Sequence, residues 1–364
     1  MSFFYPERIF VERESARMDL TLQVLERCRG VPVEYVDDVP ELIRRHNRSS
    51  SKRPPQKKQL LLCRNRGRFL EPCPGTKPDY LCCRYVILTA GSGCPLDCTY
   101  CVLLAYLNNP FITLFVNWED MLAELESHGR LGNAEIVRIG TGEYMDSLAL
   151  EHLTDFVLRI VSFFKNGPGA VLELKTKTAH IDHLRGLDHG GRVIVSWSLN
   201  APEIVAREER GAASLTERLS AARELVAEGY RVGFHFDPLI CYPGWETGYR
   251  ETVDLIAEYI PPEAIAWISI GTLRYMPQLK TKALLRFPET KIYYHEFVPG
   301  LDGKMRYLQD IRIEMCRSMV EWLRAYDKEI FIYYCMENSL VWQKTHAKVP
   351  ASNMQLKQML DARI

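Results

Sequence analysis

The stretch YVILTAGSGCPLDCTYCVLLAYLNNP, residues 85–110, decides how the rest of the chain is read. It opens with a β-branched apolar run, YVILTA (85–90), which reads as a strand. That run leads directly into a loop carrying Cys94, Cys98 and Cys101 within eight positions. Three thiols so close together call for a metal, a disulfide or a cluster. Structural zinc takes four ligands, usually from two paired knuckles, and no fourth ligand follows at a matching spacing. Cys82 and Cys83 lie on the far side of the predicted strand, and adjacent side chains on a strand point to opposite faces. A four-iron cluster held by three thiolates keeps one iron without a protein ligand, open to a small molecule. The cluster is the leading reading; zinc and plain buried thiols compete with it.

Composition sets the frame. The 364 residues are 47% hydrophobic, enough for a large core in one barrel-sized domain or two ordinary ones. The start MSFFYPERIFVERE carries Glu7, Arg8 and Glu12 in place of a basic segment followed by an apolar run, so no secretory signal is visible. No later segment has the roughly 18 uninterrupted apolar residues of a membrane helix. The expectation is a cytoplasmic protein without a membrane partner, in a compartment where disulfides are rare. Its eleven cysteines then point to metal binding or reactivity at some positions and to burial at the others. Net charge is formally zero, but RRHNRSSSKRPPQKKQLLLCRNRGR (44–68) holds ten Lys or Arg and no acid. Such a block reads as a solvated linker or as a phosphate-tracking segment, and the two are compatible.

Beyond the cysteines, strand and helix patterns alternate. Strands are predicted at AEIVRIGTG (134–142), AVLELKTK (170–177), RVIVSWSLN (192–200), RVGFHFDPLI (231–240) and AIAWISIGTL (264–273). Helical spacing runs through 118–129, 148–164, 214–229 and 245–260, with a short helical turn at HIDHLRGL. Together with 85–90 this makes six β/α units, which imply parallel strands with right-handed crossovers. The fold class is therefore α/β, a partial (β/α)6 barrel of TIM type. Its divisions are expected to be an N-terminal region with the basic linker (1–80), a barrel core (81–275) and a C-terminal hairpin and helical region (276–364).

Barrels of this kind place working residues at the carboxyl ends of the strands. The polar signals fall there: the three cysteines after the first strand, Glu143 after the second, Lys177 after the third, Ser198 and Asn200 after the fourth, Asp237 after the fifth. Each alone has an ordinary explanation, a surface lysine, a solvated strand face or a turn cap. Their shared position argues for one site.

The spacing Cys94-Pro-Leu-Asp-Cys98-Thr-Tyr100-Cys101 after a first barrel strand resembles the radical S-adenosylmethionine (AdoMet) superfamily. GTGE (140–143) is similar to its glycine-rich turn that meets the AdoMet amino group. Glycines allow close backbone approach, and a carboxylate suits an ammonium. Within that superfamily the chain resembles the spore photoproduct lyases. The resemblance is carried by KPDY (77–80), HIDHL (180–184), SLN (198–200), RLSAARELVAEGYRVGF (218–234), PGWETGY (243–249) and KMRY (304–307). It implies a [4Fe-4S] cluster on Cys94, Cys98 and Cys101, AdoMet cleaved to a 5′-deoxyadenosyl radical, and hydrogen abstraction from a nucleic-acid substrate, as in DNA repair. An electron donor such as flavodoxin or ferredoxin comes with that chemistry. It further implies AdoMet contacts from Glu143, Lys177, Ser198 and Asn200, and a β-hairpin whose Lys304, Arg306 and Tyr307 enter damaged DNA. One side chain there suits phosphate and another a base; an ordinary surface turn is the plain alternative.

Two departures stand against the family pattern. The lyases return hydrogen to the product radical from a cysteine after the second strand, through two tyrosines bracketing the third cluster cysteine. GTGEYMDS (140–147) has no cysteine, and the second tyrosine is Val102, leaving Tyr100 alone. Cys241, in PLICYPGW (238–245), reads first as a small buried hydrophobe in a βα loop and is also the candidate replacement donor, acting directly or through Tyr100. A radical enzyme for a peptide or small metabolite, and a non-catalytic iron–sulfur protein that binds nucleic acid, remain as competing functions.

Overall fold

The computed structural model describes residues 3–49, 57–75, 80–130, 136–166, 169–345 and 349–364. The centre of the basic block (50–56) and Lys77–Asp79 of the KPDY motif lie outside the described residues, as do 134 and 135 at the start of the second predicted strand.

All six strands expected from the sequence form, and a seventh joins them. Val86–Leu88, Val137–Gly140, Ala170–Thr176, Val193–Ser198, Arg231–Leu239, Ile265–Thr272 and Ile332–Tyr334 are parallel neighbours in that order. Leu70–Pro72 caps the outer edge of the first strand in antiparallel register. The central strands are near-continuous apolar runs because helices cover their outer face while the inner face lines a curled half-barrel. The seventh strand escapes a periodicity reading because three residues, IYY, carry no pattern; they are recruited by Ile268 and Ile270 alongside.

The covering helices follow the expected periods. Leu215–Ala227 starts at a reciprocal capping box in which Ser214 accepts from the Glu217 N–H, fixing its entry between the fourth and fifth strands. The pattern at 148–164 breaks into Glu151–Thr154 and Phe156–Asn166 at Asp155, whose φ is 51°. Asp155 there receives the Arg27 guanidinium through two hydrogen bonds of 2.8 and 2.6 Å.

The N-terminal region builds a second sheet of order Val33–Val36, Arg8–Glu12, Gln59–Cys63, Ile112–Phe115, Gly91–Ser92. Ile112–Phe115, directly after the cysteine loop, thus pairs with the N-terminal strands. The chain leaves the barrel after its first strand, crosses to this sheet, and returns through the helix Trp118–Arg130. At the other end, Phe297–Pro299 and Met305–Tyr307 form the expected hairpin, joined by Arg274–Tyr275 into a three-stranded sheet. Among the described residues no helix is long and apolar enough to cross a membrane.

Candidate active site

A cavity of about 310 Å³ opens inside the half-barrel. Cys94, Cys98, Cys101, Tyr100, Glu143, Lys177, Ser198, Asp237 and Lys304, all singled out by the sequence, line it together.

The cysteine loop is pinned on several sides. Asp97–Cys98 pairs with Glu209–Arg210. Asp97 receives Arg286 at 2.8 Å and Lys57 at 3.4 Å, and the Tyr293 hydroxyl donates to the Thr99 carbonyl at 3.0 Å. Burial pushes the Cys94 thiol up to about 12 and the Cys98 thiol higher still. Lys57 is the cation of this corner. Burial alone would lower its ammonium, yet the three thiols and Asp97 raise it above its ordinary value. In the sequence it is one of ten basic residues in a block with linker composition, and only the fold picks it out. Three thiols facing one cavity beside a partly buried ammonium suit a cluster that brings net negative charge.

Around them, Asp146 ties the loop after the second strand to the end of the third. Its carboxylate accepts from the Lys177 N–H at 2.7 Å, the Thr176 hydroxyl at 2.8 Å and the N–H groups of Leu148 and Ala149 at 3.0 Å. Lys177 carries its ammonium over the Tyr100 ring, 5.7 Å from the centroid. The glycines of GTGE serve the protein's own packing: a Cβ at Gly140 would lie 1.7 Å from the Tyr85 hydroxyl, and one at Gly142 would lie 2.4 Å from the Lys175 Cβ. Those contacts let Tyr85 and Lys175 reach the cavity wall and set the backbone that presents Glu143.

Four expectations are corrected. Asn200 is buried and does not line the cavity; it donates to the Tyr100 hydroxyl at 3.3 Å and to Glu209 at 3.2 Å, and accepts from Tyr249 at 2.5 Å. It therefore positions Tyr100 from behind, because the chain has turned off the fourth strand by that point. Tyr100 itself donates to the Glu209 carboxylate. Cys241 does not line the cavity either. It sits half-buried with its N–H donating to the Tyr307 hydroxyl at 3.1 Å, and burial pushes its thiol up to about 11. Tyr307 is 0% exposed and stacks on Phe297 at 4.8 Å. Arg306 is 2% exposed, paired with Asp302 at 2.8 Å, donating to the Met336 carbonyl at 3.2 Å and lying over the Tyr80 ring. Both side chains anchor the hairpin to the barrel, so neither presents itself to a base. Leu301, at the tip, is 78% exposed, and Lys304 alone of the expected trio reaches the cavity.

The sequence reading missed the charged interior. Glu173 accepts from Ser196 at 2.6 Å, His235 at 2.7 Å and Trp267 at 3.2 Å; burial alone would raise its carboxyl, but His235 and Lys175 hold it well below the usual range. Arg274, also missed, clasps the expected Asp237 through bonds of 2.8 and 3.0 Å. These residues alternate with core residues on strands, where polar character looks like a solvated face until the barrel curls around it.

The family model for spore photoproduct lyase matches residues 4–299. The chain belongs to the spore photoproduct lyase family. Its members are radical AdoMet enzymes that use a four-iron cluster, which is the cofactor set the Cys94, Cys98 and Cys101 corner fits. The spore photoproduct lyase of Geobacillus sp. (strain Y412MC61) is 27% identical over 247 residues, covering 66% of this chain and 72% of the relative. That of Bacillus subtilis (strain 168) is 27% identical over 208 residues, 56% of this chain and 61% of the relative. Among solved structures, a spore photoproduct lyase double mutant with bound AdoMet and dinucleoside spore photoproduct superposes with a TM-score of 0.79 at 22% identity, covering 92% of this chain and all of that one. A cysteine-to-alanine mutant with the dinucleoside alone gives a TM-score of 0.78 at the same identity and coverage. The half-barrel of the family is thus the half-barrel found here.

Proposed function

We propose that this chain acts on a pyrimidine photolesion in nucleic acid, with AdoMet and the four-iron cluster as its radical source. The observation carrying this reading is one cavity that joins three thiols to Glu143, Lys177 and Ser198 on one side and to Arg274 and Lys304 on the other. When bound, the cluster and AdoMet supply a 5′-deoxyadenosyl radical; the chain supplies position and charge. Cys94, Cys98 and Cys101 would hold the cluster beside Lys57. Glu143 would offer a carboxylate to the AdoMet ammonium and Lys177 an ammonium to its carboxylate, with Ser198 lining the same cavity.

On the substrate side, Arg274 is held by Asp237, whereas the Lys304 ammonium has, among the described residues, one hydrogen-bond acceptor, the Met336 thioether 3.6 Å away. Burial and the neighbouring Arg274 lower its proton affinity. A phosphodiester in the cavity would supply the missing anion. The family's hydrogen-returning cysteine has no counterpart in GTGEYMDS, so hydrogen return follows another route than the one in that loop. Reducing equivalents come from a separate donor such as flavodoxin or ferredoxin.

The test is anaerobic reconstitution with AdoMet and reductant, with and without dinucleoside spore photoproduct or irradiated duplex, following 5′-deoxyadenosine and lesion loss. Lesion-dependent turnover is expected. Lys304→Ala should weaken substrate binding and reduce its salt slope by about one. AdoMet cleavage that is equally fast with and without every nucleic acid, with no lesion consumed, would overturn the reading.

A further inference from the structure

Four cysteines outside the Cys94–Cys101 loop line the same cavity: Cys73, Cys82, Cys83 and Cys335. They come from three separate parts of the chain. Cys73 follows the antiparallel edge strand Leu70–Pro72, Cys82 and Cys83 precede the first barrel strand, and Cys335 follows the last one. The half-barrel leaves a gap between its first and last strands, and these segments close it. Packing there is tight: a Cβ on Gly75 would meet the Met336 side chain at 3.0 Å and the Cys73 sulfur at 3.4 Å. Cys82 and Cys83 lie in irregular chain ahead of the strand, so the rule that sends neighbours to opposite faces does not separate them.

Backbone and polar groups are arranged around these sulfurs. Among the described residues three non-glycine residues have positive φ, and two of them directly follow the cysteines: Arg84 at 56° after Cys83, and Met336 at 58° after Cys335. Such conformations persist where the surroundings impose them, commonly at functional sites. The Arg84 N–H donates to the Cys82 sulfur at 3.4 Å, and the Arg274 guanidinium donates to the Cys335 sulfur at 3.2 Å. Arg138 donates to the Cys83 carbonyl at 3.1 Å, and its guanidinium also meets the Cys83 side chain. The Tyr85 hydroxyl, on a residue 5% exposed that lines the cavity, has no hydrogen-bond partner. Buried polar groups are normally satisfied, and a donor left open on a wall of four thiols, with two arginines turned to their sulfurs, points to an anionic occupant.

We infer that Cys73, Cys82, Cys83 and Cys335 hold a second iron–sulfur cluster, on the same cavity as the first. Spacing favours a cluster over a single zinc ion. Among the described residues, only Glu151, Asp155 and His183 bring three such ligand atoms within 4.8 Å of one another. Neither the Cys94–Cys98–Cys101 set nor this one is gathered tightly enough for one ion, and a cubane spreads its thiolates wider. N–H groups on Cys82 and Cys335 are the kind that tune cluster potential. The site borders the Arg274 and Lys304 end of the cavity given to substrate above, since Cys335 accepts from Arg274 and the next residue, Met336, from Lys304; the inference rests on the thiols and not on that substrate.

The experiment is iron and sulfide analysis after anaerobic reconstitution of the full chain, with visible and electron paramagnetic resonance spectra. Wild type should hold about eight irons, and Cys94→Ala/Cys98→Ala/Cys101→Ala about four, with visible absorption retained. Cys73→Ala/Cys335→Ala should also fall by about half while keeping a signal that AdoMet perturbs. Circular dichroism checks folding, and if the double variant misfolds, the wild-type and triple-variant counts decide. Wild type with about four irons and a triple variant with none would overturn the second site, as would zinc in its place; neither result would touch the lyase reading, which is read from AdoMet cleavage and lesion loss.

Discussion

Arg218 offers a test of how the site is held. Its guanidinium and the Glu209 carboxylate are both fully buried and lie 2.6 Å apart. Arg218 also donates to the Ala213 carbonyl at 2.9 Å and to the Ser198 carbonyl at 2.8 Å. Glu209 in turn accepts from Tyr100 and Asn200, and its backbone pairs with Cys98. Arg218→Met keeps the side chain's bulk and removes its charge, leaving Glu209 ionised without its partner and two carbonyls without a donor. Removing one member of a buried pair costs about 3–5 kcal/mol, much of it the stranded charge. pH sets the sign. In the wild type, burial opposes ionisation of Glu209 but Arg218 holds its pKa below the ordinary 4.5, so the pair contributes stability above that value and loses it as pH falls through the folded pKa. Without Arg218 the carboxyl is raised instead, and the variant loses stability as pH rises above about 4.5. The gap between the two proteins should therefore widen from pH 4.5 to 7. Equilibrium denaturation across that range measures it, and Arg218→Met/Glu209→Leu should recover part of the loss. A single-variant cost under about 1 kcal/mol, or a gap that does not change with pH, would refute the argument.

Tyr307→Ala should destabilise the protein by about 3–5 kcal/mol, seen in thermal unfolding, because it empties a fully buried aromatic site beneath the hairpin; a stable variant with weaker nucleic-acid binding would instead return Tyr307 to the interface. Glu143→Gln should weaken AdoMet binding about tenfold by isothermal titration, the value of one charge-assisted contact, and an unchanged affinity would remove Glu143 from the site. Gly142→Ala puts a methyl group into the Lys175 side chain, so it should lower AdoMet affinity by a comparable factor, whereas Gly67→Ala, on an exposed residue whose added Cβ makes only an ordinary contact of 3.4 Å, should leave it unchanged.

Local pattern determined a good deal. The Cys94–Cys98–Cys101 spacing is a local property, legible because three thiols on one short loop have few uses. Six barrel strands were legible because a buried parallel strand writes itself as an uninterrupted β-branched run, and the helices between them because each shows one apolar face to the sheet. The positions of Glu143, Lys177 and Ser198 followed from strand ends alone, since a parallel barrel puts all those ends at one mouth.

What tertiary structure decided was everything that depends on a partner distant in sequence. Ile112–Phe115 is apolar in any register, and only the vacant edge of Gln59–Cys63 assigns it to the N-terminal sheet. Arg306 and Tyr307 are the residues expected of a DNA-entering hairpin, yet Asp302, Met336 and the Cys241 N–H turn them inward; in a short hairpin the choice of buried face belongs to what packs against it. Lys57 is written in the same basic surroundings as its neighbours and is set apart by its place beside Asp97 and the three thiols. Cys73, Cys82, Cys83 and Cys335 are spread over more than 260 positions and meet because a half-barrel must close the gap between its first and last strands. Sequence spacing records ligands that share a loop; ligands brought together by closure of a sheet leave no spacing to read.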